Sequence, residues 1–334
     1  MHFKKRENPG PRDRGKNKNS GNVARKEDKM SERWMIQGWT NGELNALVKN
    51  LGEETARKIQ RGEVKVSLEE VMKVLFDKHG RRIPEGLRAN VCDPNRDFRF
   101  DQLELIGKAY YANGIKRLHD TLEVDTGISA KQLKREIEHL LAILRENSRV
   151  ANIINGVWLP VIMPKLEADD LGTTLEQYLE AVGKSYTDVF PDRKFNNYLK
   201  GKLVDQVSIV DNSRHDQLIK RMRQGPVPGI HFPNPLQGFS FQADREQIVT
   251  LPERFVLSGL DTVIAMVMYP DILARNYWTP DLDLAALSYQ STADSFYFDA
   301  LYDVVVDEDE LNFGDTANLA HAYNGFSGSL FFLG

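Results

Sequence analysis

The chain has 334 residues, of which 41% are hydrophobic and 28% charged, and a formal net charge of −4. That composition excludes a wholly disordered or fibrous protein, and the length leaves room for two or three domains. A single cysteine, Cys92, excludes an intrachain disulfide.

The charge is unevenly placed. Residues 1–33 hold eleven Lys/Arg against five Asp/Glu, whereas from Asp281 onward ten acidic residues meet no Lys or Arg. The longest apolar run, VWLPVIMP at 157–164, is eight residues with two prolines. A bilayer span needs roughly 20 apolar residues, so no membrane span is expected. The start, MHFKKRENPG, lacks the apolar region of a secretory signal, and the expected location is the cytoplasm.

In chain order, residues 1–32 read as a disordered basic tail, with too little apolar surface to offset chain entropy. Such a tail either solvates or touches nucleic-acid phosphates. Residues 33–155 read as a helical domain. Thr40 and Glu43 form a capping box before a stripe of Leu44, Leu47, Val48 and Leu51. A short helix is expected over 53–61, ending at Gly62. Ser67 and Glu70 open another, expected to run to Gly80. A loop covers 80–98 and a helix 100–123. Ser129 and Gln132 cap a longer helix with Leu133, Ile137, Leu140, Leu141 and Leu144 inward. The hairpin at 122–141 has the spacing of a helix-turn-helix, with Lys131, Lys134 and Arg135 near the start of its second helix. Plain helical packing gives the same pattern.

From 156 the pattern changes to a mixed α/β domain reaching 334. VWLPVIM suits a buried strand, 173–182 an amphipathic helix, 205–210 a strand and 215–223 a basic helix. QGPVPGIHFPNPLQG (224–238) reads as a rigid connector because of its four prolines and three glycines. A helix over 243–251 and a fully buried one over 261–269 follow. Short strand-like pieces at 295–299, 302–306, 311–313 and 330–333 suggest a loop-rich β region packed on helices.

Catalytic and metal motifs are absent. The sequence contains no GxxxxGK, GxGxxG or HExxH, and its seven histidines are scattered. Cys92 would need a spatial partner such as His79 or His119 to act as a nucleophile. The run Asp307, Glu308, Asp309, Glu310 suits a hard cation but lacks the spacing and glycine of a calcium loop. Neither a cofactor nor a metal is expected.

The last 46 residues, 289–334, combine Asp, Asn, Tyr, Phe, Ser, Ala and Gly and contain no Lys or Arg. This stretch resembles the variable region of proteins diversified by retroelements, whose C-terminal domain has a C-type-lectin-like fold. There, adenine-directed scrambling of Asn codons yields Asp, Tyr, Phe, Ser, Ala, Gly, His and a few others, but never Lys, Glu, Gln, Met or Trp. Glu308 and Glu310 depart from that set and would be fixed framework. The ending SGSLFFLG is similar to the closing strand of such domains. RQGPVPG (223–229), FPNPLQGF (232–239), LPERF (251–255) and MYPDILARN (268–276) resemble uncharacterised bacterial proteins of small-genome lineages, and 43–63 resembles a helical module attached to them.

The resemblance implies an α+β chain: a helical N-terminal region followed by a mixed α/β, C-type-lectin-like C-terminal domain, variable over about 289–327. It implies a non-enzymatic binding protein for a protein or other macromolecular ligand. The candidate contacts are Asp294, Tyr297, Asp299, Tyr302, Asp303, Asp315, Asn318, His321, Tyr323, Asn324 and Phe326. Tyrosine offers contact area and a hydrogen-bonding tip at low entropic cost, and the small polar residues adapt around it. Tyr297, Tyr302 and Phe326 also suit half-buried strand positions. The alternative function is a nucleic-acid-associated regulator that uses the basic tail and the 122–141 hairpin.

Overall fold

The computed structural model describes residues 46, 48–64, 73–101, 108–290, 294–303 and 308–334, with backbone alone at 108–109, 301–303 and 308. The basic tail at 1–32, the capping boxes at 40–43 and 67–70, and the segments 102–107, 291–293 and 304–307 lie outside those residues. Two compact units divide at 71/72. In the first, α1 (Glu53–Gln60) has Glu53 and Glu54 in its first turn and Arg57 and Lys58 in its last. These charges complement the helix dipole and pair four residues apart. The helix stops where Gly62 takes φ +74°.

The second unit, Met72–Gly334, runs across the expected boundary at 155/156. The reason is packing. α2 (Lys108–Leu122) and α3 (Ala130–Glu146) pack on each other, and α3 also lies against β1 (Leu159–Met163) and β4 (Val227–Gln237). Leu133, Ile137, Leu140, Leu141 and Leu144 of α3 are all buried, and the Ser129–Gln132 capping box forms as its spacing predicts. The helix expected to reach Gly80 is not formed over 73–80. Leu75 and Phe76 are both buried, the Leu75 N–H donates to the Arg149 carbonyl (2.7 Å), and Phe76 bridges to Arg82.

The rest is a sheet with helices around it: α4 (Leu171–Val189), α5 (His215–Met222), α6 (Phe241–Ile248), α7 (Leu260–Met268) and α8 (Pro270–Leu273). Further strands are β2 (Lys194–Asn197), β3 (Val207–Ile209), β5 (Phe255–Leu257), β6 (Asp281–Asp283), β7 (Leu287–Tyr289), β8 (Ser295–Asp303), β9 (Glu308–Thr316) and β10 (Phe326–Leu333). Eight strands form one sheet in the order β1-β4-β10-β6-β8-β9-β2, with β5 beside β10, and β3 pairs with β7. The chain is therefore α+β. Among the described residues no helix is long and apolar enough to cross a membrane.

The Pro-rich segment 224–238 is not a connector. It supplies β4, an interior strand between β1 and β10. Proline cannot donate to a ladder and is confined to irregular places in a sheet. Here the β4–β10 register breaks between Gly328 and Leu330, opposite Pro233 and Pro235. Ser327 and Ser329 hydroxyls donate to the Pro233 carbonyl at 2.9 and 3.0 Å, so side chains replace the missing ladder bonds. The expected loop-rich ending is also more regular than its turn residues suggest. β8 and β9 pair over their full length, and β10 occupies the middle of the sheet with Leu330, Phe331, Phe332 and Leu333 buried.

Every residue of α7 is buried, and the helix touches α2, α4, β1 and β4. Its one charged residue, Asp261, accepts hydrogen bonds from His231 Nδ1 (2.9 Å), Ser258 Oγ (2.6 Å) and the Gly259 N–H (2.9 Å). Burial alone would raise this carboxyl. The hydrogen bonds from His231 and Ser258 help to outweigh that, and the carboxyl lies below the usual range. His215 Nδ1 donates to the Leu257 carbonyl (3.2 Å) and its Nε2 accepts from the Leu260 N–H (3.3 Å). That arrangement requires the neutral ring, and burial pushes its pKa down.

Removing the Asp261 carboxylate orphans three buried donors, so Asp261→Ala is expected to cost about 3–5 kcal/mol in urea unfolding. The depressed histidine and carboxyl act in the same direction. Below about pH 6.5 the unfolded chain takes up a proton that buried His215 refuses, and below about pH 3.9 the same holds for Asp261. Stability from this cluster is therefore expected to fall on acidification, and His215→Gln is expected to flatten the upper part of that decline.

Candidate functional site

The polar side of the sheet is built by alternation. In β6, Asp281 and Asp283 share one face and Leu282 takes the other. In β8, Phe296 and Phe298 are buried on one face, while the half-buried Tyr297 and Asp299 take the other. The register places Leu282 opposite Phe298 and Asp283 opposite Tyr297. Gly314 of β9 lies opposite Tyr297, and Asn312 opposite Asp299.

The connection from β9 to β10 then folds over this face. The Asn318 N–H donates to Thr316 Oγ1 (3.1 Å), and Asn318 Nδ2 to the Tyr323 hydroxyl (3.3 Å). The His321 and Tyr323 rings meet edge to face at 4.3 Å between centroids. Tyr323 lies 5.0 Å from Phe326, and Phe326 lies 5.8 Å from Tyr297. Phe239, from the turn between β4 and α6, and Phe241, the first residue of α6, complete the lining. These rings, with Asp283, Asp315 and Thr316, enclose a cavity of about 160 Å³.

Six of the eleven residues expected from sequence line this cavity together: Tyr297, Asp315, Asn318, His321, Tyr323 and Phe326. Tyr297 and Phe326 are at the same time half-buried strand residues. The other five lie elsewhere. Asp294 is buried, its carbonyl accepting the Tyr289 N–H (2.9 Å) and its carboxyl meeting that of Asp315. Asp299 sits one row along, paired with Asp281. Asn324 is exposed, and its carbonyl accepts the Asn95 N–H (2.9 Å). Tyr302 and Asp303 lie at the far end of β8, opposite Asp309 and Glu308.

Sequence patterning missed Phe239, Phe241 and Asp283, which come from outside 289–327. It also missed an aromatic cluster of half-buried Phe98 with exposed Tyr277 and Trp278, with centroids 5.1–5.6 Å apart. This cluster adjoins the site: Phe98 lies against Gly325, and the Arg99 N–H donates to the Trp278 carbonyl (3.0 Å). A Tyr-Trp pair next to punctuating prolines was a visible signal in the sequence.

Carboxyl groups set the electrostatics. Asp244, from the first turn of α6, and Asp283 are both buried, and burial together with their mutual proximity holds Asp244 well above the usual range. Burial likewise raises Asp283, against the pull of Arg245. Asp281 is raised by burial and by the neighbouring charge of Asp299, with which it hydrogen-bonds. Burial, then the Asp294 carboxyl, raises Asp315. A side chain at Gly328 would collide with the Asp244 carboxyl, and Gly328 pairs with Asp283 in the β10–β6 register. The two acids therefore meet beside one glycine.

Other candidates lie apart from this site. Burial pushes the Cys92 thiol up, away from nucleophile behaviour. Asp309 pairs with Arg193 (3.1 Å), and Glu310 accepts from Asn196 (3.0 Å), so this part of the acidic run is occupied by β2 and its flank. Among the described residues no three metal-ligating groups converge. No family model, curated protein or solved structure matches the chain.

A carboxyl raised in the fold holds a proton that the unfolded chain releases, so its contribution to stability declines as pH climbs above about 3.9 toward the folded value. Asp244→Asn removes that decline. The variant is expected to melt several degrees above the parent at pH 8, with a smaller gain at pH 4, by calorimetry.

Proposed function

We propose that the chain is a non-enzymatic binding protein whose C-terminal domain, C-type-lectin-like and of the retroelement-diversified type, contacts a protein or other macromolecule. The observation that carries this reading is the convergence of Tyr297, Asp315, Asn318, His321, Tyr323 and Phe326 on one cavity. A contact role is further supported by the exposed rings of Tyr277, Trp278 and Tyr323 around it. Tyrosine and tryptophan dominate the energetics of binding interfaces. A buried central β10 suits a scaffold that tolerates substitution in the 317–325 connection.

The alternative, nucleic-acid binding through the 122–141 hairpin, gains no support there. Lys134 pairs with Glu138 (3.7 Å) and Arg135 with Glu136 (3.7 Å), so its positive charges are interleaved with carboxylates.

Sequencing the locus in sibling strains tests the proposal. Substitutions are expected at Tyr297, Asn318, His321 and Tyr323, with Asp244, Asp283 and Gly328 unchanged. An invariant 289–327 stretch would sink it. Trp278→Ala and Tyr323→Ala are expected to shift unfolding by no more than about 0.5 kcal/mol, as surface changes do. Both should weaken tenfold or more the binding of ligands selected against the full chain.

A further inference from the structure

We propose that the cavity takes the cationic end of a lysine or arginine side chain from a partner polypeptide, with Asp283 and Asp315 at its floor and aromatic rings along its walls. The inference rests on the binding reading above and names the chemistry of the group bound.

The floor lacks counter-charge. Asp283 is buried and lines the cavity, yet its Oδ1 has no donor among the described residues, and neither oxygen of Asp244 behind it has one. Buried polar atoms in folded proteins almost always find partners, because an unpaired one costs its full desolvation. Arg245 acts on both acids, but its guanidinium donates to the Ala285 carbonyl (2.9 Å) and the Leu287 carbonyl (3.4 Å). One guanidinium held by carbonyls faces two carboxyls, and Asp315 adds a third in the cavity lining. The lining contains no Lys or Arg. The acidic groups of the lining are Asp283 and Asp315, and its one basic side chain is His321.

The walls select an organic cation. The rings of Tyr297, Tyr323, Phe326, Phe239 and Phe241 line the cavity, and aromatic rings attract ammonium and guanidinium groups and pack along an alkyl stem. A bare metal ion would need several converging ligands, and among the described residues no such group exists. The volume, about 160 Å³, is well below that of pockets for drug-sized ligands, roughly 300–1,000 Å³, and suits a single side chain. The rim rings, Tyr323 and the neighbouring Trp278 cluster, would then meet the polypeptide carrying it.

Binding of the cation displaces protons held by the Asp244 and Asp283 pair. The groups facing that pair are Arg245 from α6, Asp281 from β6, Tyr297 from β8, Asp315 from β9 and His321 from the connection. Affinity is therefore expected to fall between pH 8 and pH 5.

The test uses the full chain, peptides selected from a random library, and n-butylguanidinium as a free fragment, read by calorimetry and ligand-observed NMR. Selected peptides are expected to carry Lys or Arg, and the fragment to compete with them. Asp283→Asn and Asp315→Asn are expected to weaken both tenfold or more while still unfolding cooperatively. Should Asp283→Asn fail to fold, the part-buried Asp315→Asn carries the test. A peptide bound at least tenfold tighter than the fragment marks a polypeptide source, and equal affinity overturns that source. A fragment that does not bind at all overturns the cation. Peptides that lack basic residues yet still require Tyr323 also overturn the cation and leave the binding face standing. Peptides indifferent to Tyr323, Trp278 and Asp283 remove the face as well.

Discussion

The carboxylate of Asp261 sits where the architecture of the second unit is decided. It lies in the first turn of α7, a helix buried on every side, and takes its donors from His231 of β4, Ser258 just after β5 and Gly259 at the helix start. An all-apolar helix in an apolar environment has little to prevent rotation about its own axis. A buried charge with three directional donors removes that freedom, since any other rotation strands it. With α7 set, β4 is held between β1 and β10, and β10 brings Gly328 beside Asp244 and Asp283. The cavity thus depends on a hydrogen-bond cluster that does not line it.

Two buried acid clusters in one molecule show how environment assigns role. Asp261 is surrounded by donors and lies below the usual carboxylate range. Asp244 and Asp283 are equally buried, lack donors for three of their oxygens and lie well above it. The first arrangement lowers the energy of the fold at neutral pH, and the second raises it. Natural sequences break local rules of this kind chiefly at functional positions. The cost is concentrated at the one place where six candidate contact residues also meet.

Much of the helical scaffold was legible. The Ser129–Gln132 box, the stripe from Leu133 to Leu144, the stop at Gly62 and the buried run at 261–269 all follow from near-neighbour rules about capping, periodicity and conformational freedom. The Pro-rich 224–238 segment was misread for a physical reason. Proline forbids a regular ladder, but here the ladder is irregular exactly where Pro233 and Pro235 lie, and serine hydroxyls from another strand supply the bonds. No local rule contains that information. The domain boundary expected at 155/156 failed similarly, because a change of composition there does not interrupt the core that α3 shares with β1 and β4.

For the site, sequence alone determined the inventory: a C-terminal stretch rich in tyrosine, aspartate, asparagine and phenylalanine, free of lysine and arginine. Alternation within β8 placed Tyr297 and Asp299 on one face and Phe296 and Phe298 on the other. Tertiary structure decided which of those residues meet. Register set Asp283 opposite Tyr297, the β9–β10 connection laid His321 and Tyr323 above them, and a turn and helix start more than forty residues upstream supplied Phe239 and Phe241. It also decided that two acids remote in sequence would be buried together beside Gly328. Side-chain type and alternation are properties of neighbours along the chain, whereas a cavity and its unpaired charge arise only from strands brought together across it.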